Sequence, residues 1–345
     1  MEKIDLRSDT VTLPGPEMRR AMAEAPVGDD VFGEDPTINL LQEKTARLLG
    51  KEAGLYVPSG TMSNQICLRL LTRPGDEVVC DRHAHVYRNE AAAGAVLAGL
   101  SFYPLEGDQG RLSRDQVASA IQPDNIHFPK TRVVTLENTN NRGNGSVYDL
   151  AEIRAIAALV RENGLAMHLD GARMLHACLA GGYTPAELAA EFDTVSICLS
   201  KGLGAPVGSV VVSDKKRIEA AVKIRKQYGG AMRQAGILAA AGIFALEHNI
   251  DRLAEDHRRA KRLAQALAEM KLVKLNPEHI QTNIVIFDIS PTGKTPGQVQ
   301  AELEEEGVRV VPFGPTDLRA VLHLDIDDDD VERAIRGFGR VLGGG

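Results

Sequence analysis

Val195-Ser-Ile-Cys-Leu-Ser200-Lys201-Gly-Leu-Gly204-Ala-Pro-Val-Gly208 places a lysine just after an apolar β-branched run and just before a glycine-rich turn, and a second apolar run follows from Gly208 to Val212. Strand, turn and strand are the simplest reading. Upstream, similar short runs recur at Leu55-Tyr-Val57, Glu77-Val-Val-Cys80, Arg132-Val-Val-Thr-Leu136 and Leu165-Ala-Met-His-Leu169. Between them lie helical patterns, clearest from Leu150 to Val160 and in the spacing of Ile38, Leu41, Thr45, Leu48 and Leu49. Strands alternating with helices predict an α/β chain with a parallel or mixed sheet covered on both faces.

An alanine-rich stretch from Arg233 to about Met270 reads as one long helical region and marks the domain boundary. Beyond it, Ile284 to Phe287, Val308 to Val311 and Leu318 to Ile326 read as strands, with helices over 296–306 and 329–342. The expected division is an N-terminal segment over 1–14, a large domain over 15–245 and a small C-terminal domain over 246–345. With 345 residues, 43% of them hydrophobic, the chain is long enough for two cores. The acidic Asp327 to Asp330 suits the positive end of the final helix.

A net charge of -7, with no basic run longer than Lys215-Lys-Arg217, argues against a nucleic-acid surface. Cys67, Cys80, Cys178 and Cys198 are widely spaced, which predicts neither a zinc site nor a disulfide framework and fits a reducing cytoplasm. The N-terminus lacks an apolar signal core and no stretch approaches the ~20 apolar residues of a membrane span, so the expectation is a soluble protein acting on a small molecule.

In doubly wound folds ligands sit beyond the carboxyl ends of the strands, which directs attention to Ser59-Gly-Thr61, Glu137-Asn138, Asp170 and Ser200-Lys201. Ser59-Gly-Thr61 leaves a strand and opens a helix, a ready phosphate site, although the same residues make an ordinary cap. Asp170 ends an apolar run, where a carboxylate needs a cationic partner; a ligand's protonated nitrogen is one, and Arg173 three residues on is the plainer alternative. Lys201 lies where a solvated lysine has little reason to be, with its amine available to form an imine.

Asp170-Gly-Ala-Arg173, followed about thirty residues later by Ser200-Lys-Gly-Leu-Gly-Ala-Pro-Val-Gly208, resembles the fold type I pyridoxal-phosphate (PLP) enzymes and specifically the low-specificity threonine aldolases. Ile4 to Thr12, Pro26 to Pro36, His85-Val-Tyr-Arg-Asn-Glu90, Ile126-His-Phe128, Leu136-Glu-Asn-Thr139 and Gly230 to Gly236 carry the same resemblance over nearly the whole chain. It implies a large domain with a mostly parallel seven-stranded sheet between helices, a smaller α/β domain, and reversible PLP-dependent cleavage of β-hydroxy-α-amino acids to glycine and an aldehyde.

By that resemblance Lys201 would hold PLP as a Schiff base, Asp170 would pair with the pyridine nitrogen, Ser59, Gly60, Thr61 and Ser200 would hold the phosphate, and His85 would stack on the ring. Arg173 and Arg319, assisted by Ser8, would grip the substrate carboxylate, for which a guanidinium fork is suited. His85 and His127 would be the candidate bases, beside an ordered water. Lys226 and Arg233 would approach from a neighbouring subunit, implying a homotetramer with shared sites. Phe32, in the substrate region, stands where family members often have tyrosine, and Asn140 where many have histidine. No metal is implied.

Other chemistry fits the same scaffold: a β-eliminating lyase or an aminotransferase would share the lysine, aspartate and phosphate turn, and would differ in its products. A catalytically silent PLP-binding module predicts a fused helix-turn-helix or a missing lysine, and neither is found. A nicotinamide dehydrogenase lacks its G-x-G-x-x-G after the first strand.

Overall fold

The computed structural model of the chain describes residues 3–344; Met1, Glu2 and Gly345, which the expected outer bounds include, lie outside them. A short strand β1 (Ile4–Asp5) precedes the seven strands of the main sheet: β2 (Ala53–Val57), β3 (Glu77–Asp81), β4 (Ser101–Leu105), β5 (Thr131–Glu137), β6 (Ala166–Asp170), β7 (Thr194–Cys198) and β8 (Ser209–Ser213). They lie in the order β2-β8-β7-β6-β5-β3-β4, with β4, β3, β5, β6 and β7 mutually parallel and β8 antiparallel to both its neighbours. β5 to β8 are buried almost throughout, which explains why they read as continuous apolar runs rather than as alternating ones. The turn into β8 needs Gly208, whose φ is +111° and where a Cβ would fall 2.4 Å from the Tyr56 ring.

Helices pack on both faces and start at side-chain caps that the sequence supplies: Asp35 ahead of Pro36–Leu48, Ser59 ahead of Gly60–Leu71, Asp149 ahead of Leu150–Glu162. Asp327 caps the last helix, Asp328–Leu342, in a reciprocal box with Asp330.

The alanine-rich stretch is not one helix. It breaks between Gly236–His248, whose Ala239, Ala241 and Ala245 belong to the large core, and Leu253–Ala268, whose Ala260, Leu263 and Leu267 belong to a second core. That second core is built on β9 (Ile284–Asp288), β10 (Val308–Arg309), β11 (Val311–Pro312) and β12 (Asp317–Val321), with β12 shorter than the sequence reading and the 308–311 run split in two. Ile4 and Leu6 join it, and β1 pairs with β10, so the N-terminal residues are anchored on the small domain.

Where the two cores meet, His176 of the helix Met174–Gly181 and His257 of Leu253–Ala268 share a hydrogen bond of 2.9 Å. Burial keeps both imidazoles neutral, His257 down at about 4 and His176 well below the usual range, the latter also through its histidine partner. Because the folded pKa values lie below the unfolded value of 6.5, the unfolded chain binds these protons first: stability is full above 6.5 and is lost as the pH falls toward 4. His257→Gln should flatten this acid limb by on the order of 1–3 kcal/mol, measured as urea unfolding at pH 7.5 and 5.0. An unchanged limb would assign the acid sensitivity elsewhere.

Candidate active site

Parallel register sets Glu137 of β5 beside Asp170 of β6, and Asp170 beside Ser196 of β7, at the carboxyl ends of the strands. Lys201 follows β7 by three residues. A cavity of about 140 Å³ opens there, of a size for a small molecule. Of the residues expected from the sequence it gathers Lys201, Asp170, His85, Arg173, Arg319 and Ser8; Thr10, Glu137, Thr139 and Asn141 join them without having been assigned roles.

One wall is cationic. Arg173 is buried and donates Nε and Nη2 to the two carboxylate oxygens of Asp9, each at 2.6 Å. Arg173 therefore does not pair with Asp170, the plainer alternative weighed from the sequence. Burial alone would raise the Asp9 carboxyl, but Arg173, with Lys201 close by, holds it well below the usual carboxylate range. Arg319, on β12, donates Nη1 to Asn141 Oδ1 (2.8 Å) and Nη2 to the Arg7 carbonyl (3.0 Å), lies against the Phe313 ring, and leaves its buried Nε without a partner. Burial and then the like charge of Arg173 push Arg319 down to about 10. Two desolvated guanidinium groups with an orphaned donor fit an anionic ligand, which would relieve both penalties.

A second group of lining residues is acidic. Asp170 accepts from Asn64 Nδ2 (2.9 Å) and the Ala172 amide (3.2 Å). The same Asn64 amide reaches Glu90 (2.8 Å), and Glu90 in turn meets His85 Nδ1 (2.8 Å). Behind them His168, fully buried and held neutral by desolvation at about 4, bridges Asn64 and Thr194. For His85, burial opposes the charged ring, but Glu90, Asp170 and Glu137 outweigh it and raise its pKa above the ordinary histidine value. Asp170 has no cationic side chain as a hydrogen-bond partner among the described residues, so a buried carboxylate faces the cavity with room for a cationic ligand atom.

Ser59, Gly60, Thr61 and Ser200 flank this cavity rather than line it. Ser59 Oγ accepts from the Met62 amide at the start of a twelve-residue helix, leaving the first turn's other amides as donors for an anion. A Cβ on Gly60 would fall 2.7 Å from Cys198 Sγ, at the end of β7, so only glycine lets the helix start approach the Lys201 turn this closely. The residues present thus fit a small phosphorylated aromatic cation: a carboxylate and a lysine amine line the cavity, and a helix start with free amides lies next to the end of β7.

Four expected positions are not brought in. His127 lies on the exposed connection before β5, its amide bonded to Asn125, and is absent from the cavity lining. Phe32, 74% exposed, ends a short 3-10 turn and also stays outside. Arg233 pairs with Asp29 at 3.0 Å and Lys226 points to solvent near the end of its helix. All four sit on surface segments, and no contact within one chain draws them toward the strand ends.

Comparison with known proteins follows the same line. The model of the Beta-eliminating lyase family matches residues 5–290. A low-specificity L-threonine aldolase 1 from Arabidopsis thaliana is 36% identical, over 99% of this chain and 97% of its own. The Escherichia coli K12 low specificity L-threonine aldolase is 46% identical over 77% of this chain and 79% of its own. A threonine aldolase structure from Leishmania major superposes with a TM-score of 0.85 at 20% identity, covering 98% of this chain and 99% of that one, which speaks for the fold. By descent as well as by architecture, this chain belongs to the beta-eliminating lyase family, among the low-specificity L-threonine aldolases.

Proposed function

We propose that the chain is a PLP-dependent aldehyde-lyase that cleaves the Cα–Cβ bond of L-threonine, L-allo-threonine and other β-hydroxy-α-amino acids, reversibly, to glycine and an aldehyde. The observation that carries this reading is that Lys201 and Asp170 line one small cavity together with two buried arginines, Arg173 and Arg319.

In this reading Lys201 would hold the cofactor, Asp170 would pair with its pyridine nitrogen, His85 would stack on its ring, and Ser59, Gly60, Thr61 and Ser200 would hold its phosphate. Bound PLP supplies a sink for the electron pair left at the α-carbon when the Cα–Cβ bond breaks. Arg173 and Arg319 grip the substrate carboxylate, with Ser8 beside them, and this grip selects which bond at Cα is aligned for cleavage. His85 is the imidazole available to take the β-hydroxyl proton: Nδ1 is engaged by Glu90, which leaves Nε2 for the substrate. Arg319 comes from the small domain and Lys201 from the large one, so docking of the two excludes water from the reacting atoms.

We also propose a homotetramer in the cytoplasm, in which His127, Phe32, Lys226 and Arg233 act at a neighbour's site. Supporting this are exposed apolar side chains on the segments of His127 and Phe32: Ile126 (95% exposed), Phe128, Val31 and Phe32 itself. Light scattering on the purified protein tests the assembly.

The activity is tested by incubating purified protein with L-threonine and L-allo-threonine and assaying acetaldehyde, ammonia and ketoacid together. Acetaldehyde with equimolar glycine is expected; ammonia and ketoacid, or amino transfer, would instead install a β-eliminating lyase or an aminotransferase.

A further inference from the structure

β5 ends on Glu137, whose carboxyl has no part in the roles above. It is buried, and its two oxygens are used separately: Oε2 accepts from the His85 backbone N–H and Oε1 from the Asn141 backbone N–H, each at 2.8 Å. The first amide opens the short helix that carries the His85 ring. The second belongs to the residue whose Oδ1 receives Arg319 at 2.8 Å from the small domain. One side chain therefore touches the supports of both walls of the cavity.

This placement is costly. Burial, and then the charge of Asp170 next to it in register, push Glu137 up to about 7, against the pull of the two amides and His85. An acid set beside an acid carries a repulsion, but a neutral amide of the same length offers one acceptor oxygen where two separate amides are held here. What an acid adds is a charge felt by His85, together with two acceptor oxygens that hold two segments at a set separation.

We propose that Glu137 is a positioning residue for the cleavage reaction: from one carboxyl it sets the His85 ring on the cofactor side and the Asn141–Arg319 contact on the substrate-carboxylate side. The inference rests on the roles given above to His85 and Arg319. Glu137 lines the cavity, but both its oxygens are engaged by amides, and its part in the proposal is exerted through these two groups.

The test is Glu137→Gln in the holoenzyme. Glutamine keeps the size but offers one acceptor in place of two and removes the charge. Glycine binding by calorimetry should weaken about tenfold and KM for L-threonine should rise in step, because the Arg319 seat is loosened. Amide exchange at His85 and Asn141 should quicken, and the acid limb of kcat/KM should move to lower pH as His85 loses a neighbouring negative charge. Glu137→Asp, which retains the charge and loses the reach, should restore the pH profile and leave KM raised. Glycine affinity, KM and pH profile all within about twofold of the parent would overturn the proposal. Should the Gln variant fail to fold, Asn141→Ala severs the Arg319 side alone: weaker glycine binding with an unmoved pH profile supports the proposal, and unchanged glycine binding overturns it. A parent enzyme that binds glycine but releases no aldehyde would sink the aldolase reading and leave this test intact.

Discussion

Lys201→Ala should remove both aldehyde release from L-threonine and the visible absorbance of the cofactor's imine, with a rate loss on the order of 10³-fold or more, equivalent to about 4 kcal/mol of transition-state stabilisation. The amine is the only side chain of its kind in the cavity lining. Its charge is also among those that hold the Asp9 carboxyl down. Alanine leaves the strand, the glycine turn and Asp170 in place, so folding should survive, and a normal far-ultraviolet spectrum with both signals gone is the expected pair of results. Persistence of the absorbance band in the variant would move the covalent attachment to another residue, and persistence of turnover would remove Lys201 from the reaction.

Asp9→Asn is expected to have the largest effect on stability. The Asp9–Arg173 pair is fully desolvated and doubly hydrogen-bonded, and removing one partner's charge strands a buried guanidinium, which typically costs 3–5 kcal/mol. Asparagine retains one acceptor, so a loss of about 2–4 kcal/mol is expected, read as a lower Tm and an earlier urea midpoint. Because the folded pKa of Asp9 is depressed, its contribution in the parent is present above the unfolded value of 3.8 and disappears as the pH falls below it. The gap between parent and variant should therefore narrow in acid. The same change should raise KM for the amino acid about tenfold or more, since Asp9 sets the Arg173 fork. A variant with parental Tm and KM would show that Arg173 is held by its packing rather than by its counter-ion.

Asp9 also shows how the site joins distant parts of the chain. Thr12 donates to the Lys201 carbonyl at 3.2 Å, Leu13 N–H to Asp325, and Arg319 to the Arg7 carbonyl. Residues 7–13 thus run as a strap from the small domain across to the lysine turn. Arg173, through Asp9, and Arg319, through the Arg7 carbonyl, are both supported by this strap, so in the proposed reading carboxylate binding would be coupled to the seating of the two domains.

Reading the sequence located most of the main sheet because its strands are buried on both faces and are spelled in Val, Ile and Leu. β4 escaped for the opposite reason: it is an edge strand, only partly buried, and carries Pro104, which demotes a run to a non-strand. The break near Asn249 escaped because alanine continues the helical pattern on either side, and the packing of each half against a different core decides where it bends. Leu318 to Ile326 looked like one strand, yet β12 stops at Val321, where pairing with β9 ends.

The site divides along similar lines. That Lys201 and Asp170 would meet at one cavity was legible because each directly follows a strand run, and strand ends in such folds converge. Glu137 stood in the same list without a role, since nothing local says that its neighbours in space are Asp170 and the His85 amide. Asp9 was hidden altogether as a pairing partner: 164 positions separate it from Arg173. His127, Phe32, Lys226 and Arg233 were read from resemblance, and a single chain leaves them at the surface.

The sequence by itself determined the alternation of strands and helices, the position of Lys201 after a buried strand, and the residue types at each strand end, because periodicity, caps and glycine turns act over a few residues. Tertiary structure alone decided which charges meet. The ion pair of Asp9 with Arg173, the two-sided use of Glu137 and the docking of Arg319 against Asn141 depend on contacts between domains and between far-apart segments, and their strength comes from desolvation, a property that exists only once the chain has closed around them.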